Sequence, residues 1–140
     1  MTDTNPDEIF NIEGVSQYKG ESYIDDYTLF MSRLESQGGN MAAGEVGEMV
    51  NRMSAHYMRH NIILGRCLKL FSKTAVDIYT KAEDGGKPIS AAKAEIIAAA
   101  TPEAAAYQEA KIHVQNIEMH INSLKALQRG ILNEYSYSAT

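Results

Sequence analysis

The sequence predicts an all-α protein built on a long antiparallel helical hairpin, and three observations carry that prediction. Ala, Met, Leu, Glu and Lys fill long stretches without proline, and tryptophan is absent, a composition that favours helix over strand. Apolar residues recur at steps of three and four along two long segments, the period of one helix face. Between those segments, Asp84-Gly85-Gly86-Lys87-Pro88 joins two glycines to a proline that disfavours helix just before it, so the chain reverses there. With 140 residues and 44% hydrophobic content, the chain matches one domain with one core, so residues 1–140 are expected to form a single helical unit.

Residues 1–20 hold Pro6, Gly14 and Gly20 and no sustained period, and are read as an irregular acidic arm. Ser22 with Asp25 three residues on resembles a helix cap, and Tyr27, Phe30, Met31 and Leu34 then repeat at helical spacing, predicting a short helix over 23–36. Gly38-Gly39-Asn40 stops it, because these residues tolerate the left-handed backbone of a helix end.

The first long helix is expected over 43–81, burying Val46, Val50, Met53, Tyr57, Leu64, Leu68, Phe71, Ala75 and Tyr79. Ile62, Ile63 and Leu70 fall off that stripe. After the break, Ser90 can cap a short connecting helix through Ala100, and Thr101-Pro102-Glu103 offers a cap, a proline at the first helical position and an acid in the first turn. The second long helix, over 102–134, carries the most regular pattern in the chain. Tyr107, Ala110, Val114, Ile117, Ile121, Leu124, Gln128, Ile131 and Tyr135 alternate by three and four, a coiled-coil-like seam with one polar position at Gln128. Ile112 and Met119 lie off the seam, so one hairpin cannot cover every apolar face, and a homo-oligomer is expected.

Charge is segregated. The net charge is −5, yet residues 1–50 carry ten Asp and Glu against Lys19 and Arg33, and residues 51–82 carry six Lys and Arg against Asp77 alone. Arg52, Arg59, Arg66 and Lys73 recur at seven-residue steps and drift only about 20° per step, so they line one stripe, with Lys69 beside them. On the helical wheel the stripe lies opposite the apolar face. It reads either as a solvated surface or as a track for the phosphates of single-stranded DNA, with Tyr57 and Tyr79 as stacking groups or core. The acidic arm can equally fold back on it.

The remaining chemistry is sparse. His56 and His60 stand four apart, a spacing that can hold a metal, but without the Glu of the metalloprotease motif or an evident third ligand; beside Arg52 and Arg59 they read as an extension of the basic patch. His113 and His120 flank the seam and read as packing residues. Cys67, the single cysteine, sits among apolar-periodic neighbours and reads as core. Gly38-Gly39 and Gly85-Gly86 lack the spacing of phosphate-binding loops, and no nucleophile motif is present, so neither catalysis, a cofactor nor a metal is expected. No apolar stretch reaches the about 18 residues of a membrane span, and the acidic start is unlike a signal peptide, which points to a cytoplasmic protein.

The order of elements adds a resemblance. A long basic helix ends near Ile78-Tyr79, a glycine-containing break follows, then Lys93-Ala94-Glu95 and Thr101-Pro102-Glu103, and a long helix closes with Leu124-Lys125-Ala126-Leu127-Gln128-Arg129-Gly130. Over roughly residues 52–132 this resembles the bacteriophage recombination mediators of the UvsY type. The resemblance implies a helical oligomer in a bacterial host that binds single-stranded DNA, helps displace a single-strand-binding protein and loads a recombinase. It would make Arg52, Arg59, Arg66, Lys69 and Lys73 the phosphate contacts. The acidic first 50 residues and the few cations of the last helix depart from that pattern. The alternative is a structural or interaction subunit, such as a virion adaptor, scaffold or secretion component, acting through helix–helix contacts.

Overall fold

The computed structural model describes residues 22–138, with side chains described from 22 to 134. The acidic arm read over residues 1–20 and the side chain of Tyr135 lie outside the described residues. Among those described there are four helices and no strand: α1 Tyr23–Ser36, α2 Ala43–Asp84, α3 Ala91–Ala98 and α4 Pro102–Ser138. No helix among them is long and apolar enough to cross a membrane.

Local chemistry sets the ends of each helix. The Ser22 side chain accepts the Ile24 amide at 3.1 Å, satisfying an orphan donor of the first turn of α1. That helix ends where Gly38 and Gly39 take φ of 63° and 79°, values with no steric cost only for glycine. The Gly39 amide then closes on Leu34 O at 3.0 Å. Helix α2 runs three residues past the expected Lys81, because nothing before Gly86, at φ 76°, forces it to stop. Ser90 caps α3 through the Lys93 amide, and Thr101 caps α4 through the Ala104 amide, with Pro102 at the first helical position.

The chain divides into two compact units, and α2 and α4 each contribute a segment to both. In the terminal unit, which among the described residues takes 22–59 and 114–138, the core joins Tyr23 and Phe30 of α1, Val46, Met49 and Met53 of α2, and Ile117 and Leu124 of α4, with Met41. The segments of α2 and α4 run antiparallel there, since Gln128 meets Ala43 and Tyr57 meets Glu118. The central unit, His60–His113, packs Ile63 and Cys67 of α2 against Ala106 and Ala110 of α4. Phe71 and Tyr107 stack there at 5.8 Å between ring centroids. Buried positions of α3 and α4 in this unit are all alanine (Ala94, Ala98, Ala104, Ala106 and Ala110), so these helices bring only small side chains to its core.

The seam positions of α4 pack as expected where their side chains are described: Ala110, Val114, Ile117 and Leu124 are buried, and Tyr107, Ile121, Gln128 and Ile131 are half-buried. On α2 the expected stripe packs in part, with Val46 and Met53 buried and Val50, Tyr57 and Leu64 half-buried against the cores, but the most buried line is rotated by about one residue from it. Ile63 is 1% exposed and Leu70 half-buried, whereas Leu68 is 46% exposed. The buried positions are Val46, Met49, Met53, His56, Ile63 and Cys67, with His60 and Leu70 half-buried in the same rotation. Apolar content alone points to the neighbouring line, because the most buried one passes through the polar residues His56 and His60.

Candidate nucleic-acid interface

The five cations read as phosphate contacts have two different fates. In the terminal unit, α1 lies along the side of α2 that carries Arg52 and His56. Asp26 of α1 receives Arg52 Nε at 2.8 Å and His56 Nε2 at 2.6 Å on one carboxylate oxygen. His56 is 2% exposed, so it does not extend a surface patch as the sequence suggested. On the other edge of its ring, Arg59 Nη1 lies 3.2 Å from His56 Nδ1. A guanidinium only donates, so Nδ1 accepts and the ring proton sits on Nε2, where it donates to Asp26. Arg59 is half-buried, and Arg52 keeps a side chain 54% exposed.

Burial pushes the Asp26 carboxyl upward, but the hydrogen bonds from Arg52 and His56 and the charge of Arg52 outweigh it and hold the group below the ordinary carboxylate value. His120 of α4 stacks on Tyr27 at 3.8 Å and lies 6.1 Å from Tyr23, and burial lowers its pKa. The result is a polar and aromatic clamp that fastens α1 to α2 and α4. Nothing in the sequence marked Asp26 for this role. The signal that was present is the three-and-four spacing of Val46, Met49, Met53, His56, His60, Ile63 and Cys67, which places both histidines on a packed face.

Arg52 also borders a hollow lined by Arg33, Glu45 and Glu48. The central unit differs. Arg66, Lys69 and Lys73 of α2 are exposed, and none forms an ion pair with a described residue. At about 100° and 1.5 Å per residue they share one helix face about 10 Å long. Ile62 and Val76, 52% and 62% exposed, bracket them on that face.

The proposed stacking groups are engaged. Tyr57 is half-buried against the terminal core and donates to Glu118 Oε1 at 2.9 Å, and Tyr79 is half-buried beside α3. In the central unit His60 and His113 face each other at 5.6 Å between rings, with Glu109 3.6 Å from His113. Among the described residues, no three His, Cys, Asp or Glu side chains converge to hold a metal. Cys67 is buried, as its neighbours predicted, and burial beside Glu109 raises its thiol pKa, which keeps it protonated and unreactive. Compared with family models, curated proteins and solved structures, the chain matches none.

Proposed function

We propose that the chain is a non-enzymatic, oligomeric helical protein that binds single-stranded DNA through Arg66, Lys69 and Lys73, in the manner of a recombination mediator that loads a recombinase. The observation that supports this reading is the cluster itself: three cations on one face of a rigid helix, exposed and without an ion-pair partner among the described residues. Fixed cations at that spacing neutralise phosphates without reading bases, so binding would be insensitive to sequence and would weaken as salt rises. Arg52 and Arg59 enter this proposal as secondary contacts, because Asp26 and His56 already engage them.

A second reading is favoured by Ile62 and Val76, which flank the same cations. An apolar and basic face of this kind also suits an acidic amphipathic helix of a partner protein, the interaction-subunit alternative. Titration of a fluorescent single-stranded oligonucleotide with the full chain at low and at moderate salt separates the two. Binding that falls steeply with salt and is equal for different base sequences is the expected result. Absence of binding at low salt, where electrostatic attraction is least screened, would remove the DNA reading and leave the interaction subunit.

A further inference from the structure

We propose that α4 carries a second pairing face, on which two copies of the chain dock antiparallel about a two-fold axis near Gln115. The proposal specifies the oligomer of the preceding reading, rests on that reading for oligomerisation alone, and uses one helix. Its basis is a stripe that does not look like a solvated surface. Ala105, Ile112, Met119 and Ala126 recur every seven residues, and Gln108, Gln115 and Asn122 fall between them at steps of three and four. All seven are exposed, with Ile112 at 54% and Met119 at 66%. Ile112 stands two residues from both Ala110 and Val114, about 200° around the helix from either, so the stripe points away from the buried seam.

Outward positions of a surface helix are ordinarily where charge collects. Charged residues make up 22% of this chain, yet this stripe has none from residue 105 through 126. A single exposed Ile or Met would mean nothing. Three heptads of apolar and amide residues in unbroken three-and-four alternation are the pattern of a helix–helix seam.

The stripe also selects its occupant. Read in either direction it runs small, amide, large apolar, amide, large apolar, amide, small, with Gln115 at the centre. Such a palindrome matches a second copy of itself turned end for end, as an isologous interface requires. Ala105 then meets Ala126 of the second copy, Gln108 meets Asn122, Ile112 meets Met119, and the two Gln115 amides face each other on the axis. On the flank, Lys111 lies opposite Glu118 of the second copy, and the pair occurs twice. A parallel arrangement would instead set Lys111 beside Asn116 and Glu118 beside Ser123 of the second copy, both uncharged. Antiparallel docking also opposes the two helix dipoles favourably.

Cysteine placement on the full-length protein tests this, because Cys67 is buried and stays out of the chemistry. Under mild oxidation, Gln115→Cys should form a disulfide-linked dimer about tenfold or more faster than the exposed control Ser72→Cys, since the axis holds its two copies together. Gln108→Cys alone should not, and Gln108→Cys mixed with Asn122→Cys should. Light scattering of the unmodified chain should give twice its mass of 15.5 kDa. Lys111→Glu should weaken the dimer and adding Glu118→Lys should restore it; because Glu118→Lys also gives up the hydrogen bond from Tyr57, urea midpoints and helical content are followed alongside. Rapid self-linking of Gln108→Cys would mean parallel helices, and a monomer at tens of micromolar would mean no interface; either overturns the proposal. None of these measurements involves DNA, so their failure is separate from failure of the DNA reading.

Discussion

Gln128, the one polar residue in the α4 seam, reaches the start of α2, where its Nε2 donates to Ala43 O at 3.2 Å. It does so over Gly47, where a Cβ would come within 2.9 Å of that same nitrogen. The glycine and the glutamine therefore explain each other: a bare backbone position lets an amide lie across the helix and meet a carbonyl. Gly65, by contrast, has nothing within 4 Å of where its Cβ would stand. Gly65→Ala should stabilise the protein by up to about 1 kcal/mol through helix propensity. Gly47→Ala should yield a clearly smaller gain or none, because displacing Gln128 sacrifices a hydrogen bond worth about 1 kcal/mol. Urea midpoints of the two variants, and of Gly47→Ala combined with Gln128→Ala, measure the difference.

The packed register of α2 can be checked with two adjacent residues. Ile63 is 1% exposed and Ile62 is 52% exposed. Ile63→Ala should cost about 2–5 kcal/mol, and Ile62→Ala should cost far less. Equal costs in chemical denaturation would mean that the buried stripe is misassigned.

The clamp on α1 should be sensitive to its carboxylate. Asp26→Asn leaves the shape but removes the charge that accepts from Arg52 and from buried His56. A loss of about 1–3 kcal/mol is expected, and faster amide exchange in α1 than in the rest of the terminal unit. Unchanged exchange in α1 would contradict the assigned role.

Acid should loosen the same clamp in two stages. His120 has a folded pKa held below its ordinary value, so the unfolded chain binds that proton first; its stabilisation is complete above about pH 6.5 and erodes as pH falls below it. Asp26 is likewise depressed, and its contribution, present above about pH 4, disappears as pH falls through its folded value. His120→Phe, which retains a ring against Tyr27, should flatten the first stage and leave the second. Urea midpoints measured down the pH scale would reveal both.

For DNA binding, replacing Arg66, Lys69 and Lys73 with Gln should weaken affinity for every oligonucleotide sequence alike. Each lost contact should reduce the salt slope by about 0.7. Fold stability should stay within about 0.5 kcal/mol, because all three are exposed. Arg52→Gln should instead register in stability, through Asp26, as much as in binding.

Local chemistry made the four helices and most of their starting points legible, while α2 and α4 run three and four residues past their expected ends. Ser22, Gly38-Gly39, Gly85-Gly86, Ser90 and Thr101-Pro102 act on backbone within a few residues, so their effect needs no distant partner. The α4 seam was legible too, because every seam position but Gln128 is apolar or aromatic, whereas the opposite stripe through Ile112 and Met119 alternates with amides. Which line of α2 is most deeply buried depends on packing that periodicity does not encode. Two lines that share Val46 and Met53 and otherwise lie one residue apart carry comparable apolar content, and the more deeply buried one includes His56, whose burial depends on a carboxylate thirty residues away in α1. The same contact decided the fate of the basic row. Arg52 and Arg59 look identical to Arg66 on a helical wheel, but Asp26 and His56 claim them, because the position of α1 is a property of the packed fold and not of the periodicity of α2.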